Sequence, residues 1–171
     1  MSVIFTVKQL RQKPKRIEAV FFEAMCYGHA SSRRPFVLHG LPWSQGLLYT
    51  DGHWRVTDTW ETSEWSRYSG GVTRIYYNGN LIWMMHYFGA YSEEAIPCLK
   101  AALLANYQKS LFFGGRGPDR FTFGEFTYHN WSKNKSSSKF ENFSGEEMMF
   151  HERGDHRGMI GEHRYHGGLM I

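Results

Sequence analysis

The sequence predicts an α+β domain in which two copies of a helix and three strands form one antiparallel sheet, with the helices on one face. Segments whose apolar residues recur at helical spacing come before segments in which apolar and polar residues alternate, as they do in strands. The alternating segments of the two halves contain the same kinds of residue in the same order. A length of 171 residues suits one domain, and 42% hydrophobic residues supply its core. We therefore expect a single domain over residues 1–171, with repeats at about 14–91 and 92–171.

Helical spacing marks one helix ahead of each β-rich stretch. In residues 16–27 the apolar side chains recur every three or four positions, and Gly28 ends the pattern. The second helix is expected over residues 92–107, because Ser92 is a suitable N-cap and two glutamates follow it. Residues 30–46 are rich in Ser, Pro and Gly, which predicts a long connecting loop.

The strands are expected in hairpins. Asp-Gly at 51–52 and Asn-Gly-Asn at 78–80 are turn sequences, and each lies between apolar stretches. A third hairpin extends from about residue 142 to the C-terminus. Residues 81–88 are almost continuously apolar, and this pattern is typical of a strand that is covered on both faces.

The duplication is predicted from features that recur in the same order. Each copy has a strand that ends on Trp, an aromatic residue followed by Ser-Gly, a turn glycine and an aromatic-x-Gly. These features stand at Trp60, 68–70, Gly79 and 87–89, and again at Trp131, 143–145, Gly154 and 165–167. We therefore expect residues 46–90 and 120–169 to form equivalent three-stranded units of one sheet.

The chain is moderately basic, with a net charge of +4. Its basic residues concentrate near the N-terminus and at one further pair, namely Lys8, Arg11, Lys13, Lys15, Arg16, Arg33 and Arg34. Such a patch can bind phosphates or an acidic partner, so a nucleic-acid or protein interaction module is one alternative function. Nucleic-acid binding is not our first functional hypothesis, because the chain contains no run of five or more residues of like charge.

The sequence indicates neither secretion nor membrane insertion. Its N-terminus lacks a charged segment followed by a long apolar stretch, and no apolar run approaches the ~20 residues that cross a bilayer. Cys26 and Cys98 fall within the predicted helices, where we expect reduced and buried thiols. These observations predict a cytoplasmic protein without a membrane partner.

A cluster of histidines and glutamates near the C-terminus supports a second alternative, a metal-assisted hydrolase. Its members are His151, His156, His163 and His166, with Glu147, Glu152 and Glu162. Their spacing fits no compact ligand motif such as HExxH, so we assign no metal ligand, no cofactor and no catalytic residue. The glycine-rich residues 114–118 lack the Gly-Lys-Ser/Thr ending of a phosphate loop and are interpreted as a connector.

The first function that we infer is the non-catalytic binding or sequestration of a small molecule. Aromatic residues make up 17% of the chain, and rings with a few charged groups are typical of ligand pockets. The residues assigned to the pocket are Arg74, Trp83, Tyr87, Glu147, His163 and Tyr165. We expect this pocket on the sheet face away from the helices, where a ligand, a loop or a second copy of the chain would cover the central strand.

Further expectations concern the ligand and its cover. Arg74 would be costly to bury without a counter-charge, so it should meet Glu147 or an anionic group of the ligand. The ligand is therefore expected to be anionic or aromatic. Residues 30–46, which include Trp43, are the loop best placed to act as a lid.

Several motifs resemble a bacterial family of unknown function. They are RYSGGVTRIYYNGNLIWMMHYFG, FFGGRGP, and the ending FSGEEMMFHERG with YHGGLMI. Together they cover about residues 45–171. In that family the domain occurs alone or behind a helix-turn-helix in transcriptional regulators. No segment of this chain is predicted as a helix-turn-helix, so the resemblance implies the fold and no particular activity.

Overall fold

The computed structural model describes residues 4–29, 34–132, 139–153 and 156–171. The helices are α1 (Val7–Arg11), α2 (Pro14–His29) and α3 (Ile96–Gln108), and one 3-10 turn (Glu93–Ala95) leads into α3. The strands are β1 (Phe36–Val37), β2 (Ser44–Asp51), β3 (Trp54–Thr62), β4 (Tyr68–Tyr77), β5 (Asn80–Tyr91), β6 (Arg120–Phe123), β7 (Phe126–Ser132), β8 (Asn142–Arg153) and β9 (His156–Leu169).

In the described part of the chain, all nine strands pair antiparallel in one sheet, in the order β1-β2-β3-β4-β5-β9-β8-β7-β6. The α+β class and the antiparallel sheet that the sequence predicted are therefore confirmed. β5 and β9 join the halves in the middle of the sheet, where Tyr87 lies opposite Tyr165.

The predicted number of strands in each unit is wrong. Residues 46–90 contain parts of four strands, β2 to β5, and residues 120–169 also contain four, β6 to β9. The difference in the second half arises at Gly124, whose φ of +61° allows a tight turn between Phe123 and Phe126. The stretch that we interpreted as one strand ending on Trp131 is therefore a short hairpin.

The helices pack on one face of the sheet, which we call the inner face. Phe21 of α2 contacts Trp83 of β5 at a ring-centroid distance of 5.3 Å and Tyr107 of α3 at 6.0 Å. α2 also packs against β2 and β3, whereas α3 packs against β6 and β7. The two helices together bury the inner face of both halves of the sheet.

The opposite, outer face of the sheet has no helix over it in the described residues. Phe88 of β5 is 60% exposed there, and its ring stacks on Tyr68. His86 stacks on His166 at 5.3 Å between ring centroids. Our expectation that residues 81–88 are covered on both faces is therefore wrong, because apolar side chains on the outer face remain in contact with solvent.

The two cysteines differ in their surroundings. Cys98 of α3 is buried in the core, whereas Cys26 of α2 is only half-buried, and neither forms a disulfide. Burial raises the pKa of both thiols. Among the described residues, no helix has the length and apolar character needed to span a membrane.

Candidate functional site

The glycine-rich segment 112–118 lies flat on the inner face of the second half of the sheet. Gly115 contacts the ring of Tyr165, and Gly117 contacts the hydroxyl of Tyr128 so closely that neither position has room for a Cβ atom. Glycine is therefore required here for close approach of the backbone to two aromatic rings. The sequence motif that we interpreted as a plain connector is a packed element of the core.

Two buried asparagines hold this segment in place. The side-chain amide of Asn106 donates hydrogen bonds to the carbonyls of Leu111 and Arg116, at 2.9 and 3.0 Å. The amide of Asn130 donates to the carbonyl of Gly117 at 2.9 Å. These bonds satisfy backbone carbonyls that would otherwise be costly to bury, and they direct the side chain of Arg116 into the interior.

Arg116 forms a buried ion pair with Glu147 of β8. Its Nη2 and Nε atoms donate to the two carboxylate oxygens at 2.6 and 3.3 Å, and Glu147 is completely buried. Tyr91 and Tyr128 also donate to this carboxylate, at 3.0 and 2.9 Å. Burial alone would raise the pKa of Glu147, but Arg116 and the hydroxyl of Tyr128 lower it, so the carboxylate is ionised.

His163 of β9 lies between the guanidinium of Arg116 and the hydroxyl of Ser69. Its Nδ1 is 3.4 Å from Arg116 Nη2, and its Nε2 is 3.4 Å from Ser69 Oγ. A guanidinium only donates hydrogen bonds, so Nδ1 must be the acceptor and Nε2 must carry the proton. Burial, followed by the charge of Arg116, lowers the pKa of His163 to about 3.

This geometry excludes the usual role of a histidine beside a serine. A general base needs an unprotonated ring nitrogen that faces the hydroxyl. Here the nitrogen near Ser69 carries the proton, and the nitrogen near Arg116 accepts one of its N–H groups. We therefore interpret His163 as a neutral imidazole whose single N–H, on Nε2, faces Ser69, and the backbone of Gly89 also hydrogen-bonds this ring.

Asp58 of β3 supplies a second buried carboxylate on the inner face. Its Oδ1 accepts hydrogen bonds from the hydroxyls of Thr73 and Tyr87, at 2.9 and 3.0 Å. Burial and then the charge of Asp58 raise the pKa of Tyr87 well above its usual value. The guanidinium of Arg116 lies over the ring of Tyr87, 4.5 Å from its centroid, in a cation–π contact. Tyr87 therefore contacts both Asp58 and the arginine that pairs with Glu147.

A cavity of about 520 Å³, here called the α3 cavity, opens beside these clusters between the sheet, the end of α2 and α3. Its polar lining comprises Gln45, Asp58, Ser69, Lys100, Arg116 and His163. Its remaining lining comprises Gly28, Pro35, Leu47, Trp60, Tyr87, Tyr91, Ile96, Leu99 and Leu103. Aliphatic side chains of α3 thus face buried polar groups of the sheet across the cavity.

The structure brings together four of the six predicted site residues. Tyr87 and His163 line the α3 cavity. Glu147 lies behind it as the partner of Arg116, and Tyr165 donates to Asn130 at 2.5 Å. All four are on the inner face, so the predicted position away from the helices is wrong.

Trp83 and Arg74 are not part of this site. Trp83 is a core residue that stacks on Phe140 at 4.7 Å and donates from its indole nitrogen to the Phe140 carbonyl. The odd-numbered residues of β4, such as Thr73 and Ile75, are buried against the helices, and Arg74 therefore points to the outer face. There it donates to the hydroxyl of Thr59 and lies near His86 instead of Glu147.

The segment predicted as a lid, residues 30–46, contributes two residues to the lining of the α3 cavity. Residues 30–33 lie outside the described part of the chain. Trp43 is 58% exposed and does not line the α3 cavity, whereas Pro35 and Gln45 from the same segment do.

The histidines near the C-terminus point in different directions. His163 is on the inner face, His166 stacks on His86 on the outer face, and His151 bonds to Glu125 at 3.2 Å. The side chain of His156 is outside the described residues. No group of three or more His, Cys, Asp or Glu that could hold a metal occurs in what the structure describes.

The basic residues near the N-terminus are partly neutralised. Lys15 pairs with Glu18 at 2.9 Å, and Arg16 pairs with Glu23 at 3.4 Å. The other pair predicted for this patch includes Arg33, which lies outside the described residues. The free positive charge at α2 is therefore smaller than the sequence implies.

Replacing Gly117 with alanine should lower the free energy of unfolding by about 1–3 kcal/mol, because the added methyl group would collide with the Tyr128 hydroxyl. Gly158→Ala is the matched control, since a Cβ atom there meets nothing within 4 Å. Urea unfolding of both variants measures the difference. Equal stability of the two variants would contradict the packed role of segment 112–118.

Comparisons with known proteins identify a family without assigning an activity. Neither a curated protein nor a solved structure matches the chain significantly. A family model described as a domain of unknown function, DUF5680, matches residues 58–170. This range begins at Asp58 and includes Ser69, Tyr87, Arg116, Glu147 and His163. The chain therefore belongs to the DUF5680 family.

Proposed function

We propose that the protein binds a small molecule in the α3 cavity without transforming it. The main support for this proposal is the cavity itself, because its volume of about 520 Å³ is typical of small-molecule binding sites. One wall consists of aliphatic residues of α3, such as Leu99 and Leu103, and the facing wall carries Asp58, Ser69 and His163. An apolar surface with a few oriented polar groups is the usual composition of such a site.

The buried charges beside the cavity do not require an anionic ligand. Arg116 is engaged by Glu147 through two hydrogen bonds, so it does not need an anionic ligand as counter-charge. Asp58 is a buried acceptor on the cavity wall. We therefore propose an aromatic or apolar molecule, in place of the anionic ligand expected from the sequence.

In the described residues, the histidine nitrogen beside Ser69 carries a proton and cannot act as its base, which supports binding without catalysis. The neutral form of His163 predominates at pH 7, because its pKa is about 3, but its proton faces Ser69. Activation of this serine would require the imidazole to exchange Arg116 for another partner. The described groups of the cavity therefore resemble a rigid recognition site more than a nucleophile with its base.

We further propose that the two halves descend from one duplicated unit and have since diverged. In the first half the hydroxyl of Tyr87 donates to Asp58, and in the second half that of Tyr165 donates to Asn130. Segment 112–118 covers Tyr165, whereas the α3 cavity lies over Tyr87. According to this proposal, segment 112–118 fills the inner face of the second half, whereas the equivalent surface of the first half is left open for a ligand.

An interaction module remains the second candidate. Exposed rings on the outer face, including the Tyr68–Phe88 stack, would suit a partner that contacts a flat surface. The charges on that face are mixed, since Arg164 pairs with Glu146 at 3.6 Å. A nucleic acid would contact negative as well as positive side chains on this face. We therefore consider a nucleic acid a weaker candidate than a small molecule.

A thermal-shift screen of aromatic and apolar metabolites at low and high salt tests the proposed function. A ligand present at 100 times its Kd should add about 2.7 kcal/mol of stability and raise Tm by about 5–10 °C. Ile96→Trp should abolish the shift by filling the α3 cavity, whereas Lys109→Trp, which places the same ring at the exposed end of α3, should preserve it. Failure of every compound, or equal shifts in both variants, would contradict the proposal.

A further inference from the structure

Three rows of side chains cross the outer face of the sheet, because residues directly opposite each other on paired strands point to the same side. The middle row, here called the histidine row, consists of Val72, His86 and His166. On one side lies the glutamate row, which consists of Glu61, Gly70, Phe88 and Arg164. On the other side lies the arginine row, which consists of Arg74 and Met84. Neighbouring rows are two residues, or ~7 Å, apart along the strands, so both outer rows are equally far from the histidine row.

The two outer rows differ in charge. Arg74 is half-buried and donates to the Thr59 hydroxyl at 3.1 Å, whereas Glu61 is exposed. Within the part of the chain that the structure describes, neither residue forms an ion pair. They do not reach each other, because their rows are ~14 Å apart along the strands. Arg164 pairs with Glu146 at 3.6 Å, so the glutamate row keeps a negative charge at Glu61.

A groove follows the glutamate and histidine rows. Its volume is about 420 Å³, and the side chains of these rows that line it are Glu61, Val72, His86, Phe88, Arg164 and His166. Gly70 lies between Glu61 and Phe88 in the glutamate row and contributes no side chain. The groove therefore has room, next to the carboxylate, for a side chain that comes from another molecule.

The protein exposes more surface than a folded monomer of its size usually does. Its accessible surface area is 10080 Å², whereas a mass of 20.0 kDa corresponds to ~8,700 Å². The excess of roughly 1,400 Å² is larger than the ~800 Å² that each partner buries in a standard interface. The outer face, with the exposed rings of Tyr68 and Phe88, is the surface on which a partner would bury apolar area.

A second copy of the chain matches this face. Rotation by 180° about an axis that follows the histidine row turns one outer face onto another and reverses the direction of its strands. The arginine row of each copy then faces the glutamate row of the other. Arg74 comes opposite Gly70, beside the carboxylate of Glu61, and Met84 comes opposite Phe88. Every such contact occurs twice, as an interface between identical surfaces requires.

We infer that the protein forms a homodimer in which the outer faces of two sheets pack on each other, with Arg74 of each copy bound to Glu61 of the other. Two sheets that pack face to face in this way keep their strands within about 30° of each other. A nucleic acid or an anionic membrane would be repelled by Glu61, whereas a second copy presents the opposite charge to each row. The α3 cavity is on the inner face, so this inference does not depend on ligand binding.

Size-exclusion chromatography with light scattering on the full chain tests the dimer at micromolar to near-millimolar concentration. The expected mass of the wild type is twice 20.0 kDa. Arg74→Glu and Glu61→Arg should each raise the dissociation constant of the dimer about 10–100-fold, because each change places like charges opposite each other twice. Lys8→Glu, at an exposed position on α1, is the matched control and should leave the dimer unchanged.

An equimolar mixture of the two variants tests the pairing itself. One copy with Arg74→Glu and one copy with Glu61→Arg again place opposite charges in both contacts, so the mixture should dimerise at concentrations at which each variant alone is monomeric. Circular dichroism checks that the variants are folded. If Arg74→Glu does not fold, Arg74→Gln replaces it and should weaken the dimer by a smaller factor.

Three results would overturn the inference. A wild type that stays monomeric at every concentration would leave the outer face to a different partner. A dimer that neither variant weakens would use another surface. A mixture that stays monomeric would show that Arg74 and Glu61 do not meet. Each of these results leaves the proposed binding of a small molecule in the α3 cavity intact, because the thermal-shift screen measures it separately.

Discussion

Replacing Glu147 with alanine should lower the free energy of unfolding by about 3–5 kcal/mol, because it leaves the guanidinium of Arg116 buried without a counter-charge. The change also removes the acceptor of the hydroxyls of Tyr91 and Tyr128. Both phenols are buried, and an unmade hydrogen bond in such a position adds to the cost. Urea unfolding at pH 7 measures the effect.

The neighbouring residue Glu146 provides the control. It pairs with Arg164 at 3.6 Å on the outer face, where Arg164 is 72% exposed, so Glu146→Ala should cost less than 1 kcal/mol. The double variant Glu147→Met with Arg116→Met should regain much of the loss, since it removes both charges together. Equal effects at positions 146 and 147 would show that the buried pair does not hold the core.

Acid should destabilise the protein through His163 well before its carboxylates protonate. The folded protein favours the neutral imidazole, because burial and Arg116 lower the pKa to about 3, whereas the unfolded chain has a histidine pKa of about 6.5. The stability from this group is therefore complete above pH 6.5 and is lost as the pH falls toward 3. The expected slope is about 1.4 kcal/mol per pH unit, or about 2 kcal/mol between pH 6.5 and 5.

His163→Gln tests this prediction because glutamine does not titrate. Its stability should be lower than that of the wild type at pH 7, but the further loss between pH 7 and 5 should be smaller by about 2 kcal/mol. His39→Gln, at an exposed position outside the buried cluster, is the control for the loss of one histidine. If the wild type and His163→Gln lose the same stability on acidification, His163 is not the buried neutral group described above.

The two results bear on the proposed ligand site in different ways. Glu147 holds Arg116 in place behind the α3 cavity, so its loss should disturb the cavity together with the fold. His163 lines the cavity directly and positions Ser69. A His163→Gln protein that is folded at pH 7 therefore offers a test of ligand affinity without loss of the ion pair.

The sequence predicted the antiparallel sheet, three of its hairpins and the two long helices, because these depend on short-range patterns. The turn residues at 51–52 and 78–80 and the helical spacing of residues 16–27 act within a few positions of the chain. Tyr87, Glu147 and His163 were also predicted as site residues from the periodicity of their strands. Their common inner face follows from the two-residue alternation of strands and from the pairing of β5, β8 and β9.

The tertiary structure decided where the candidate site lies and which arginine belongs to it. Arg74 stands in an alternating strand, but alternation alone does not tell which of its two faces the helices cover. Arg116 stands in a glycine-rich segment without periodicity, and its partner Glu147 is 31 positions away. Its burial depends on Gly115 and Gly117 packing against rings of distant strands. Such long-range contacts leave no local pattern, and for that reason only the folded chain reveals the cavity and the charges beside it.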